Sequence, residues 1–196
     1  MTDTTLRLFV AVELPAAARE ALARTAGAMR AAGIGDGLRW VRPEGIHITL
    51  KFLGGVEEPR LSGIAASLTD AARVVAPFAL QPRGIGSFGG WRGLRVVWVG
   101  VGGETKALAA LAGRVEDALA PLGFERERRR FAAHLTLARV REDASPDERE
   151  RLHDALARFE PAAYEAFRVE RFSLMRSTLQ RGGAVYEALA SFELTP

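Results

Sequence analysis

The sequence predicts an α+β fold of two pseudo-symmetric lobes, each an antiparallel-type sheet with helices on its outer face, with a cleft between the lobes. Segments rich in β-branched and aromatic residues alternate with segments whose apolar residues recur at helical spacing. This order of segments occurs twice, which indicates two similar units packed together. The 196 residues suit one compact body, so we expect 1–196 to form a single bilobal domain.

The first half of the chain begins with the predicted strand 7–14, whose sequence RLFVAVEL consists mostly of residues that favour strands. Pro15 then opens an alanine-rich segment that ends at Gly33, and a proline in the first turn with a glycine beyond the last is typical of a helix. The remaining segments of this half are a strand over 45–53, a helix over 61–75 and an extended segment over 78–88.

The second half repeats this order from Gly93 onward. Ser145 and Glu148 have the spacing of a capping box, and Pro146 falls in the first turn, so a helix is expected to begin there. The other segments are a strand over 94–101, a helix over 108–119, an extended segment over 131–140, and last extended segments over 164–175 and 184–194 on either side of the turn-prone Gly182-Gly183.

The two halves align at a constant offset. His47 and His134 are 87 residues apart, and Pro59 and Pro146 each follow their histidine by 12 residues. Because several matches in one register are unlikely by chance, we interpret the chain as an internal duplication. Its repeats are roughly 6–88 and 93–175, and a final strand covers 184–194.

Composition excludes several classes of protein. Without cysteine, neither a disulfide-stapled scaffold nor a thiolate metal site can form. No apolar run approaches the roughly 20 residues that span a bilayer, and residues 1–7 lack the pattern of a signal peptide. We therefore expect a cytoplasmic protein with no membrane partner. A monomer is the expected state, although nothing in the composition determines it.

Two of the three histidines lie in the same local pattern, His-aliphatic-Thr-Leu, at corresponding points of the two halves. Because side chains alternate along a strand, His47 and Thr49 share one face, and so do His134 and Thr136. The intervening aliphatic residues form the core face. The two polar faces are expected to line opposite walls of one cleft, where two imidazoles and two hydroxyls converge.

A facing pair of imidazoles is suited to proton transfer near neutral pH, since the unperturbed pKa of histidine is about 6.5. One ring can take a proton from water while the other protonates a departing oxygen, as in-line displacement at phosphorus requires. The hydroxyls of Thr49 and Thr136 can hydrogen-bond the non-bridging oxygens.

The alternatives are histidines with a purely structural role in a sheet and a two-histidine metal site. Neither motif contains the carboxylate that such a metal site would need, so no metal and no cofactor are expected. His153 belongs to no repeated pattern and is expected to be exposed on its helix.

Basic residues flank both motifs, and 25 of the 27 in the chain are arginine. They favour an anionic substrate, because the arginine fork binds phosphate in a bidentate manner; a solvated arginine-rich surface is the alternative. Trp40 and Trp91 suit either stacking on a base or packing in the core. The basic residues are Arg126, Arg128, Arg129, Arg130, Arg139 and Arg141 near the second motif, and Arg39, Arg42 and Lys51 near the first.

Together these residues resemble the two-histidine phosphoesterase superfamily, which is named for its paired His-x-Thr motifs. More narrowly, the chain resembles the RNA 2′,3′-cyclic phosphodiesterases, also called 2′–5′ RNA ligases. The resemblance covers essentially the full length. It includes RLFVAV at 7–12, WVRPEGIHITLKFLG at 40–54, RVVW at 95–98 and the tail 183–194.

The resemblance implies metal-independent hydrolysis of 2′,3′-cyclic phosphate ends of RNA to 2′-phosphomonoesters, with 2′–5′ ligation as a weak reverse reaction. It implies that His47 is the proton donor to the leaving 3′ oxygen and that His134 is the proton acceptor that activates water. Thr49 and Thr136 would hold phosphate oxygens, and Arg139 would add a positive charge to the phosphate.

Arg139 lies an odd number of residues from His134, so strict alternation puts it on the aliphatic face unless a bulge or the strand end re-aims it. Its equivalent in the first half is Phe52. Two other functions remain open at this level. One is an RNA-end binding module without chemistry, and the other is the same chemistry on a small cyclic nucleotide or a 2′–5′ oligonucleotide.

Overall fold

The computed structural model describes residues 5–90, 93–181 and 183–195, which form two antiparallel sheets and four α-helices. The helices are α1 (Ala16–Ala31), α2 (Leu61–Ala72), α3 (Thr105–Leu119) and α4 (Pro146–Arg158). The strands are β1 (Thr5–Glu13), β2 (Leu38–Trp40), β3 (His47–Glu57), β4 (Phe78–Phe88), β5 (Val96–Gly103), β6 (His134–Val140), β7 (Phe167–Val169), β8 (Arg171–Gln180) and β9 (Gly183–Glu193).

The sheets have the strand orders β3-β1-β8-β9 and β2-β6-β5-β4-β7. Each predicted strand and helix is present, with ends that differ by a few residues. The extended segment predicted over 164–175 is two strands, because β7 pairs with β4 while β8 pairs with β1 in the other sheet. β2 has no predicted counterpart, since an edge strand of three residues is too short to show alternation.

Each sheet contains strands from both halves of the chain. In the first sheet, β1 and β3 of the first half are extended by β8 from the second half. In the second sheet, β5 and β6 of the second half are extended by β4 from the first half. The lobes therefore do not coincide with the halves, and neither sheet is complete without the other half. The internal duplication stays a prediction from the sequence.

The helices cover the aliphatic faces of both sheets and form one continuous core with them. Ile48 and Leu50 of β3, and Leu135 and Leu137 of β6, are almost fully buried there. α2 packs against α3, and α3 also contacts β3 and β4, so this helix pair joins the two sheets. The core thus lies on the side of β3 and β6 that the alternation of the sequence predicts.

The ends of the helices follow signals in the sequence. Ser145 and Glu148 form the predicted capping box, in which the Ser145 hydroxyl accepts from the Glu148 amide at 3.2 Å and the Glu148 carboxylate accepts from the Ser145 amide at 2.6 Å. Gly33, beyond the end of α1, has a φ of 76°, where glycine is favoured. Within the described ranges, no helix has both the length and the apolar character needed to cross a membrane.

Candidate active site

A β-bulge in β6 decides where Arg139 points. Pairing with β5 passes from Thr136 directly to Ala138, so Leu137 is the extra residue. Leu137 and Ala138 are both buried, and Arg139 after them is exposed. Since an extra residue reverses the alternation beyond it, Arg139 lies on the face of His134 and Thr136. This is the bulge that a phosphate-binding role for Arg139 requires.

β3 contains the equivalent bulge, with Leu50 as its extra residue. The bulge turns Lys51 into the protein and leaves Phe52, which is 70% exposed, on the face of His47. The Lys51 ammonium donates to the Glu116 carboxylate and to a backbone carbonyl, both at 2.6 Å. The prediction that Lys51 adds positive charge beside the first motif is therefore wrong, because its charge is buried and paired with Glu116.

The two histidines are held by the same hydrogen bond. Nδ1 of His47 lies 2.9 Å from the carbonyl oxygen of Gly45, and Nδ1 of His134 lies 2.8 Å from that of Ala132. A carbonyl oxygen only accepts, so each Nδ1 carries a proton. Each Nε2 is then the atom that exchanges a proton with a ligand.

Aromatic side chains pack against both imidazoles. Phe9 and Tyr186 lie 4.8 Å and 5.0 Å from the His47 ring, measured between ring centroids. Phe88 lies edge-on to the His134 ring at 4.8 Å. These contacts restrict the orientation of the rings. No local signal in the sequence marks Phe9, Tyr186 or Phe88 as neighbours of the histidines, because they come from strands whose pairing a local pattern does not show.

The pKa of His47 is shifted by burial of its ring and by charged groups of the second motif. Cα atoms of β3 and β6 approach within 8 Å. Burial lowers the pKa of His47 from 6.5 to about 4; the hydrogen bond to Gly45 raises it, the charges of His134 and Arg139 lower it, and the charge of Glu13 raises it. Such charge effects require proximity. At neutral pH the His47 ring is therefore neutral in the ligand-free protein.

The threonines of both motifs are half-buried on the histidine faces. Thr49 pairs across the sheet with Ala11, and Thr136 pairs with Trp98. Arg39 of β2 is the cross-strand partner of Arg139, so two exposed cations stand together at this edge of the second sheet. The histidine faces of β3 and β6 thus carry two imidazoles, two hydroxyls and the guanidinium of Arg139.

Other residues considered in the sequence have different surroundings. Trp40 packs against the core, and the Arg30 guanidinium lies 4.5 Å above its ring, which supports the packing role. Trp91 lies outside the described residues. His153 is partly exposed on α4, with Asp154 at 3.7 Å.

The predicted basic residues near the second motif are partly paired. Arg126 forms an ion pair with Asp117, and Arg141 forms one with Asp143. The exposed loop before β6 carries Arg128, Arg129 and Arg130. In the part of the chain that the structure describes, no three His, Cys, Asp or Glu side chains form a group that could hold a metal ion.

The chain is similar to proteins of one family. The family model described as the 2′-5′ RNA ligase superfamily matches residues 20–181. An RNA 2′,3′-cyclic phosphodiesterase of Archaeoglobus fulgidus is 35% identical over 188 residues, which cover 96% of this chain and 100% of the relative. One of Geobacillus stearothermophilus is 36% identical over 186 residues, which cover 95% of this chain but 56% of that longer relative.

Solved structures share the fold over almost the whole chain. A crystal structure of a Thermus thermophilus protein is 31% identical, with a TM-score of 0.79, and the match covers 96% of this chain and 98% of that one. E. coli LigT complexed with 3′-AMP is 27% identical, with a TM-score of 0.78, and the match covers 98% of this chain and 100% of that one.

Proposed function

The chain belongs to the 2′-5′ RNA ligase superfamily, and we propose that it hydrolyses 2′,3′-cyclic phosphate ends of RNA to 2′-phosphomonoesters without a metal ion. The observation that best supports this proposal is the matched pair His47 and His134. Each donates its Nδ1 proton to the carbonyl two residues earlier, which leaves Nε2 for proton exchange. The relatives are named RNA 2′,3′-cyclic phosphodiesterases, which supports a 2′,3′-cyclic phosphate of RNA as the substrate.

In the proposed reaction, Nε2 of His134 takes a proton from water while the water oxygen forms a bond to phosphorus. The bond between phosphorus and the 3′ oxygen breaks, and Nε2 of His47 donates a proton to that oxygen. The products are a free 3′ hydroxyl and a 2′-phosphate. Each histidine exchanges one proton per turnover, and general acid–base steps of this kind are typically worth about 10²–10⁴ in rate.

The neutral state of His47 bears on this assignment. A proton donor must be an imidazolium before the bond breaks, whereas burial lowers the pKa of His47 to about 4 in the ligand-free protein. A bound phosphodiester carries a negative charge beside the ring, and a nearby opposite charge favours the charged form. We therefore assign the protonated state of His47 to the complex with substrate.

Thr49, Thr136 and Arg139 are proposed to bind the phosphate. The hydroxyls donate to non-bridging oxygens, and the guanidinium neutralises charge that builds up as water attacks. Because Arg139 follows the bulge at Leu137, it is on the histidine face of β6 and suited to this role. The basic loop before β6 suits the phosphates of a longer RNA strand.

The same groups permit 2′–5′ joining when a 5′ hydroxyl replaces water as the nucleophile, because the same bond to the 3′ oxygen breaks. The monomeric state stays a prediction from the sequence. The cytoplasmic location stays a prediction from composition.

The proposal is tested with an oligoribonucleotide that ends in a 2′,3′-cyclic phosphate. We expect turnover in excess EDTA and a product that carries the phosphate on the 2′ oxygen, identified by ³¹P NMR. Loss of activity with EDTA, or a 3′-phosphate product, would contradict the mechanism. Tight binding without turnover would identify an RNA-end binding module instead.

The substrate class is tested by kcat/KM for the same oligoribonucleotide, a 2′,3′-cyclic mononucleotide and a 2′–5′-linked dinucleotide. We expect the oligoribonucleotide to be preferred, because only it carries further phosphates that the basic loop could bind. A preference for either small substrate would support the proposed reaction but contradict the proposal that RNA ends are its substrate.

A further inference from the structure

Glu13 faces His47 within the first sheet. It is the last residue of β1 and the cross-strand partner of His47 in β3. Partners of this kind project from the same face, with Cβ atoms about 4.5–5.5 Å apart. Phe9, four residues earlier and on the same face of β1, contacts the His47 ring. The Glu13 carboxylate therefore lies on the histidine face, although neither motif includes it.

Two serines from neighbouring strands hold this carboxylate. The Ser173 hydroxyl in β8 donates to the Glu13 carboxylate at 2.6 Å, and the Ser191 hydroxyl in β9 lies 3.0 Å from that of Ser173. Ser173 is only 1% exposed. An ionised carboxylate only accepts, so Ser173 donates to Glu13 and accepts from Ser191. Burial of a hydroxyl is unfavourable unless its hydrogen bonds are made. The buried Ser173 hydroxyl meets this requirement through Glu13 and Ser191.

Charged and titratable groups face His47 from three strands. Glu13 comes from β1, Tyr186 from β9 at 5.0 Å between ring centroids, and His134 and Arg139 from β6. Burial lowers the pKa of His47 most, and the interactions with His134 and Arg139 lower it further, whereas the hydrogen bond to Gly45 and the Glu13 charge raise it. A negative charge beside the ring favours its protonated form, which is the form that a proton donor needs.

We propose that Glu13, held by Ser173 and Ser191, is a positioning residue that stabilises protonated His47 and so prepares it to donate to the leaving 3′ oxygen. It acts through His47 and contacts neither the phosphate nor the attacking water. The donor step rests on the proposed function, whereas the electrostatic coupling between Glu13 and His47 does not.

The coupling is tested by NMR titration of the three histidine rings in the protein saturated with sulfate, an anion that does not titrate in the range and favours protonated His47. Glu13→Gln should lower the His47 midpoint by about 0.5 to 1 pH unit, the effect of one charge several ångströms away. His153 reports any general change. Glu57→Gln, at the far end of β3, changes the net charge equally and should leave the midpoint of His47 in place. An unchanged midpoint in Glu13→Gln, or an equal shift in Glu57→Gln, overturns the proposal.

The catalytic consequence is tested separately with the cyclic phosphate end. Glu13→Gln should lower kcat/KM by about threefold to tenfold near neutral pH, because a midpoint lower by about 0.5 to 1 pH unit reduces the fraction of protonated His47 by that factor. Glu13→Asp keeps the charge and should retain most of the activity, and Ser173→Ala should lose less than Glu13→Gln.

The two readouts distinguish the two ways of failing. Wild-type protein without turnover, together with the NMR shift, rejects the proposed function and leaves the coupling in place. Wild-type kinetics in Glu13→Gln, together with the NMR shift, rejects the preparatory role of Glu13.

Discussion

Leu50 and Leu137 lie 87 residues apart in the chain, and each is the extra residue of a β-bulge three positions after a histidine. Two positions beyond these bulges are Phe52 and Arg139, both exposed on the histidine faces. The histidine face of β3 therefore has an aromatic ring where that of β6 has a guanidinium. This difference makes the site asymmetric, although the two His-x-Thr motifs themselves are alike.

Substitution of Arg139 tests whether this asymmetry matters for catalysis. Arg139→Ala should lower kcat/KM for a 2′,3′-cyclic phosphate by about tenfold to hundredfold, because a charge-assisted hydrogen bond to phosphate is lost. Arg139→Lys keeps the charge but not the fork, so steady-state rates should recover only in part. Arg73→Ala removes an exposed cation that pairs with Asp70 on α2 and should keep wild-type kinetics. Equal rates for the two alanine variants would exclude a role for Arg139.

The three histidines should differ sharply in their contribution to catalysis. His47→Ala and His134→Ala should each reduce kcat by about 10²–10⁴, because each removes one of the two proton transfers. His153→Ala should be as active as the wild type, since His153 lies on α4 beside Asp154. Single-turnover rates with the cyclic phosphate end provide the comparison. Near wild-type turnover by either motif variant would refute paired acid–base catalysis.

The lowered pKa of His47 predicts a loss of stability in acid. Between its unfolded value of 6.5 and its folded value of about 4, the unfolded chain binds a proton on His47 that the folded protein does not. The free energy of unfolding therefore falls as the pH decreases through this range.

Urea denaturation at about pH 7 and about pH 4.5 measures this effect. The wild type should lose about 1–2 kcal/mol more than His47→Gln between these two conditions, a value reduced to allow for partial exposure of the ring. His153→Gln is the matched control and should behave as the wild type does. Parallel losses in His47→Gln and the wild type would show that the ring is not buried in its neutral form.

The inward position of Lys51 predicts a structural and not a catalytic effect. Lys51→Met should reduce the free energy of unfolding by about 2–4 kcal/mol, because it leaves the Glu116 carboxylate unpaired. The double variant with Glu116→Leu should regain much of this loss, and urea denaturation measures both. Below the unfolding temperature the Lys51→Met variant should keep kcat/KM. A selective loss of phosphate affinity would instead show that Lys51 contributes to substrate binding.

Local patterns were sufficient to predict the histidine strands. Alternation in IHITL and AHLTL separates the faces of β3 and β6, and the aliphatic face is buried as predicted. The same alternation fails beyond Leu50 and Leu137, because one extra residue leaves no mark in the composition of a strand. Only the pairing with β1 and β5 shows that Lys51 turns inward and that Arg139 lies on the histidine face of β6.

The sequence by itself determined the order of the elements, the face of each histidine strand and the family, since these depend on periodicity and motifs within short segments. Tertiary structure decided that β8 joins the sheet of β1 and β3, and that β4 joins the sheet of β5 and β6. It also decided that Glu13 is the cross-strand partner of His47 and accepts a hydrogen bond from Ser173, and that the pKa of His47 is low. These properties arise from strand pairing, burial and charge at short distance between residues far apart in the chain, and no local pattern records those distances.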